Sequence, residues 1–122
     1  MTVTANLVFA LALALLLTHE MDAVRHQEWK MLAGLKNLPE TVAYRVFTAL
    51  HIPLYASVLA LLLTGHERLV FYLVDGFLVL HLLLHLGLSK HPANRLNNSF
   101  SQTIVYGATA LAVAHLVLIL AM

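Results

Sequence analysis

Leu69-Val70-Phe71-Tyr72-Leu73-Val74-Asp75-Gly76-Phe77-Leu78-Val79-Leu80-His81-Leu82-Leu83-Leu84-His85-Leu86-Gly87-Leu88-Ser89 is apolar except for one acid, two histidines and the closing serine. Its length matches the roughly 20 residues of helix that cross the hydrocarbon of a bilayer. An ionisable side chain at that depth is costly and by default faces a bundle interior or a functional site. Three further segments are alike: about 3–22, 41–63 and 101–122. With 69–89 they predict an all-α, integral-membrane four-helix bundle forming a single domain over 1–122. A helical bundle satisfies every backbone group internally, as lipid demands, and none of the segments alternates as a membrane barrel strand does.

Composition agrees. Of the 122 residues, 61% are hydrophobic and only 11% are charged, against roughly a quarter charged in a soluble domain. The net charge of +1 and the lack of a basic, aromatic-interleaved tract argue against a nucleic-acid partner; the expected partner is the lipid bilayer. Without cysteine there is no disulfide, thiolate metal site or Cys nucleophile. The apolar start, Leu7 to Thr18, lacks a basic leader and a small-residue cleavage site, and reads as a retained first span.

The connections set topology. Residues 23–40 place Trp29, Met31, Leu32, Leu35 and Leu38 among Arg25, Lys30 and Lys36, predicting that the first helix continues and then lies along the membrane surface. Pro39 ends it and Thr41 is a candidate cap for the second helix. Thr64-Gly65-His66-Glu67 is a tight turn, and Pro92, Asn94, Asn97, Asn98 and Ser99 are loop and cap residues. Six of the seven Lys and Arg residues flank the first and third connections; only Arg68 lies in the second. That split predicts cytoplasmic first and third connections, both termini on the non-cytoplasmic side, and a bacterial inner-membrane location.

The histidines share a depth. His19 is six residues before Arg25, His51 six after Arg45 and His85 five before Lys90, or about 8 to 9 Å below those interfacial markers at 1.5 Å per residue. His81 and His85 are i, i+4 on one helix face, a spacing that chelates one metal ion. His19, Asp22 and His26 also share a face, whereas Glu20 points elsewhere and Glu28 lies further out. The candidate ligands are His19, His51, His81 and His85, with His51 a fourth ligand or polariser. Asp22 is the candidate catalytic group, orienting a water or an imidazole. Imidazole and carboxylate without thiolate suit a divalent metal, zinc favoured, with iron as an alternative. Zinc with three protein ligands and one water would supply a nucleophile, so a zinc-dependent hydrolase of a lipid-like substrate is one expectation. H-E-x-x-H is absent, because Ala23 follows where a second histidine is needed.

Three other readings fit the same residues. Haem held by His51 with His85 or His115 would make an electron-transfer protein. Asp75 and His115 in the outer half, with the histidine cluster in the inner half, would mark a metal or proton transporter, which with four short helices requires a homo-oligomer. A small accessory subunit would use its histidines for packing. In the outer half, a structural His115–Asp75 pair is expected. Trp29, Tyr44 and Phe100 read as interfacial anchors, and Gly76, Gly87 and Gly107 as close-packing positions.

Thr18-His19-Glu20-Met21-Asp22-Ala23 with Glu28-Trp29, His51-Ile52-Pro53 and Ser89-Lys90-His91-Pro92-Ala93-Asn94 resemble the motifs of small uncharacterised bacterial four-helix membrane proteins. More broadly the chain is similar to H-x-x-E-E membrane proteins of unknown function, with Asp22 and Ala23 in place of the two acids. The resemblance implies the four-span topology and singles out His19 and Asp22. The His81/His85 pair also resembles the H-x-x-x-H helix of the membrane hydrolases that include alkaline ceramidases, which implies zinc with His19 or His51 as third ligand.

Overall fold

Helix α1 (Val3–Arg25) packs against the last helix of the chain, α4 (Ser99–Leu120), and α4 packs in turn on α3 (Glu67–Gly87), which also packs on α2 (Glu40–Leu63). This is the arrangement in the computed structural model, which describes residues 2–122. No strand occurs among the described residues. Each of the four helices is long and apolar enough to cross a membrane. Their outward faces are apolar as well, with Leu7, Met21, Ile52, Leu63, Leu83 and Leu120 all exposed. That is the surface lipid solvates, and a hazard in water.

Small residues set the closest approach. Ala5 and Ala12 of α1, one heptad apart, meet Ala108 and Ala112 of α4, all at 0–1% exposure. Without bulk at these sites the two backbones come together, which is how membrane helices gain packing without a hydrophobic drive. Phe9 and Phe71 fill the space beside them at a centroid distance of 4.5 Å. An Ala108→Leu substitution is expected to cost about 1–3 kcal/mol by overpacking. The thermal midpoint of detergent-solubilised protein should fall, while Ala114→Leu on the exposed face should leave it unchanged. Of the three glycines expected at close contacts, only Gly107 has a near neighbour: a Cβ added there would stand 3.4 Å from Leu15 Cδ1, whereas one added at Gly76 or Gly87 would meet nothing within 4 Å.

The helix ends follow local chemistry. The Thr2 side chain accepts from the Ala5 N–H, and Asn98 Oδ1 accepts from the Ser101 N–H at 2.8 Å, as N-caps do. Thr41 does not cap α2: the helix starts one residue earlier, after Pro39, whose ring already fixes the entering φ. The α2–α3 turn closes with Gly65 at φ 81° and the His66 N–H bonded to the Leu61 carbonyl at 2.9 Å, a Schellman ending that needs glycine.

The connection after α1 departs from the expected surface helix. α1 stops at Arg25, and the His26 backbone N–H and ring Nδ1 both bond to the Asp22 carbonyl oxygen. Gln27 turns into the left-handed region at φ 55°. A short 3₁₀ turn, Glu28–Met31, then folds back under the bundle. Trp29 is the reason: at 3% exposure it packs with Ala23, Ala43 and Phe47 in a second small core, so it is no interfacial anchor. Tyr44 and Phe100 are exposed as anchors should be.

Candidate metal centre

α1 and α3 meet near the end of the bundle that carries Arg25, Lys30 and Lys90. There His19 Nε2 lies 2.7 Å from His81 Nε2, which lies 3.0 Å from His85 Nε2. His81 and His85 converge because they stand one turn apart on α3; His19 meets them across the helix interface. His19 and His81 are buried and His85 half-buried. Their rings meet edge to face at centroid distances of 4.6 to 5.0 Å. Three nitrogens of one kind thus point at one spot.

The fourth group comes from the folded-back connection. Glu28 Oε2 lies 3.4 Å from His19 Nε2, an ion-pair distance without hydrogen-bond geometry, and that oxygen has no hydrogen-bond partner. One atom from each of His19, Glu28, His81 and His85 falls within 4.8 Å of all the others. Burial pushes the Glu28 carboxyl up, but the His19 contact and the charge of the three imidazoles outweigh it and hold the carboxyl below its ordinary range. Such a group could bind a metal ion. Tetrahedral donors about 2.0–2.1 Å from zinc stand about 3.3 Å apart, close to the 2.7–3.4 Å spacings here.

Three of the four expected ligands, His19, His81 and His85, are therefore together. His51 is not with them. Its Nδ1 donates to the Phe47 carbonyl at 2.7 Å and its Nε2 is 2.7 Å from Glu20 Oε2. Glu20 of α1 takes its Nε2 and the Phe47 carbonyl its Nδ1, so equal depth does not bring His51 into the cluster, and both of its nitrogens are spoken for. Glu20, expected to point elsewhere, is the partner that holds it.

Asp22 also sits apart from the cluster. Its Oδ2 accepts from the Ser101 hydroxyl and its Oδ1 lies 3.0 Å from His26 Nδ1. With both oxygens engaged it ties α1 to the start of α4, where Asn98 Nδ2 supports the Ser101 hydroxyl at 2.8 Å. His115 is paired with Asp75 at 2.6 Å, as expected, with both side chains fully buried.

Sequence reasoning missed Glu28 and Ser101. The signal for Glu28 was its neighbour: a tryptophan in a short polar connection can be an anchor pointing to lipid or a plug pointing inward, and only the second brings Glu28 to the histidines. Ser101 gave no signal beyond its place in the cap of α4.

Fold and site define a class: four-helix, multi-pass membrane proteins with a buried histidine–carboxylate cluster at one end of the bundle. Within that class the chain belongs to a family of unknown function (DUF6713), whose model matches residues 5–122. No curated protein and no solved structure is similar to it.

Proposed function

We propose that the chain is an intramembrane metal-binding protein of the bacterial inner membrane, holding one divalent ion between His19, His81, His85 and Glu28. The observation that supports this reading is the convergence of three imidazole Nε2 atoms within 3.0 Å links, with a partnerless buried carboxylate oxygen 3.4 Å away. Three like nitrogens facing each other hold two hydrogen bonds at most, whereas one cation satisfies all of them and the carboxylate. The donor set favours zinc, with iron next, since imidazole and carboxylate without thiolate suit both. Edge-to-face rings suit a small ion between them rather than a porphyrin. The basic residues around the first and third connections support a cytoplasmic position for this end of the bundle.

His19, His81 and His85 would hold the ion with Glu28 beside it, and such an ion would supply an activated water. A crevice of about 30 Å³ between α3 and α4 reaches His85, lined also by Ser89, Asn97, Gln102 and Tyr106. It has room for about one or two waters beside His85. Hydrolysis of a lipid-like substrate is the activity this supports, with Glu28, not Asp22, as the carboxylate beside the ion.

Elemental analysis of detergent-purified protein tests the reading, with about one zinc or iron per chain expected. Glu28→Gln should weaken binding by at least the about 10- to 100-fold that loss of an outer-shell partner costs. Wild-type protein that carries no stoichiometric metal after expression in metal-replete medium refutes it.

A further inference from the structure

Asp75 and His115 form a second buried ionisable group, well away from the histidine cluster. His115 Nδ1 is 2.6 Å from Asp75 Oδ2, and both residues are at 0% exposure. Asp75 stands six residues before His81 on α3, about 9 Å along the axis. Leu78, at 2% exposure, lies between, and the Thr109 hydroxyl donates to its carbonyl. Towards the other end, Asp75 is eight residues from the start of α3 and His115 five from the end of α4, about 8 to 12 Å.

The surroundings give the pair no counter-charge. α1 presents Phe9 to the imidazole and α3 presents Phe71, at centroid distances of 5.2 and 4.9 Å. α2 reaches this core only through Val58, Leu61 and Leu62, and α4 adds Ala112 and Ile119. No other titratable or charged group is among these neighbours. Asp75 Oδ1 and His115 Nε2 are buried without a partner. With one proton shared between carboxylate and imidazole, the pair carries a full negative charge in a dry interior, which is expensive. With one more proton it is neutral. A clamp between α3 and α4 needs neither state, because an amide pair would serve without any charge.

We propose that Asp75–His115 is a proton-binding site, a second functional site separate from the metal centre. It takes up one proton at the partnerless atoms, Oδ1 or Nε2, by forming one O–H or N–H bond; release breaks the same bond, and no electron is transferred. The neutral pair is the resting form, and loss of the proton places one negative charge at the core of the bundle.

The chain has two aspartates, Asp22 and Asp75, so Asp22→Asn leaves a single carboxyl to follow by isotope-labelled aspartate. Full-length protein in lipid nanodiscs, with labelled aspartate and histidine, would be titrated by infrared and nuclear magnetic resonance spectroscopy. One step is expected, shared by the Asp75 carboxyl and the His115 ring and worth about one proton per chain. It should vanish in Asp75→Asn and in His115→Gln, and persist in His85→Ala and after metal removal. Labelled signals that stay constant from mildly alkaline to mildly acidic buffer, while circular dichroism remains helical, would overturn the proposal. So would a step that disappears with His85→Ala. If Asp75→Asn does not fold, the Asp22→Asn protein decides alone, because its one aspartate signal either titrates with His115 or does not.

Discussion

Replacing His81 with alanine is expected to empty the proposed metal centre. His81 is the middle of the three imidazoles, 2.7 Å from one Nε2 and 3.0 Å from the other, so its loss removes the atom that links α1 to His85. Loss of an outer-shell partner alone costs about 10- to 100-fold in metal affinity; loss of a direct donor from a set of four should exceed the upper end of that range. Metal per chain should drop from about one to near zero in detergent-purified protein. His66→Ala, in the exposed turn between α2 and α3, is the control and should keep full metal. A His81→Ala protein that retains wild-type metal content would show that the three rings are a packing motif. Circular dichroism of the same sample separates an emptied site from an unfolded chain.

Trp29→Ala is expected to have the next largest effect, and to act at a distance. The indole is 3% exposed and packs against Phe47 at 5.6 Å and Tyr44 at 6.0 Å between ring centroids. Truncating a buried tryptophan costs about 3–5 kcal/mol. Here the cost falls on the docking of one segment, because the four helices hold each other through other residues. Residues 26–39 should lose hydrogen-exchange protection while α1, α3 and α4 keep theirs. Glu28 leaves with the segment, so metal affinity should fall to that of Glu28→Ala and no further. A uniform loss of protection through all four helices would mean that Trp29 belongs to the global core.

How far the chain could be read follows from which forces are local. The four spans were legible because lipid imposes a length and a composition on each of them independently. The His81/His85 pair was legible because helix geometry alone puts i and i+4 on one face. The Asp75–His115 pair was expected because two ionisable groups deep in apolar helices have few other partners. What failed depended on which helices touch. His51 has the right depth, but Glu20 of α1 takes its Nε2, and depth says nothing of neighbours. Asp22 has the right face, but Ser101 reaches it from α4, and no spacing within α1 announces that. Glu28 needed a chain reversal at Gln27, a non-glycine residue at positive φ, driven by burial of the next side chain. Local pattern thus gave the rods and one side of the site; tertiary partnering chose the rest.

The packing of α1 against α4 has a consequence for biogenesis. The ribosome delivers the first helix long before the last one, so α1 enters the membrane with His19, Glu20 and Asp22 but without Ser101 or the alanine seam of its eventual neighbour. α3 arrives in between with two imidazoles, yet its contact with α1 is slight. A nascent chain arrested before residue 99 therefore holds all four proposed donors but lacks the main partner of α1, and it is expected to bind the proposed metal less tightly than the full chain.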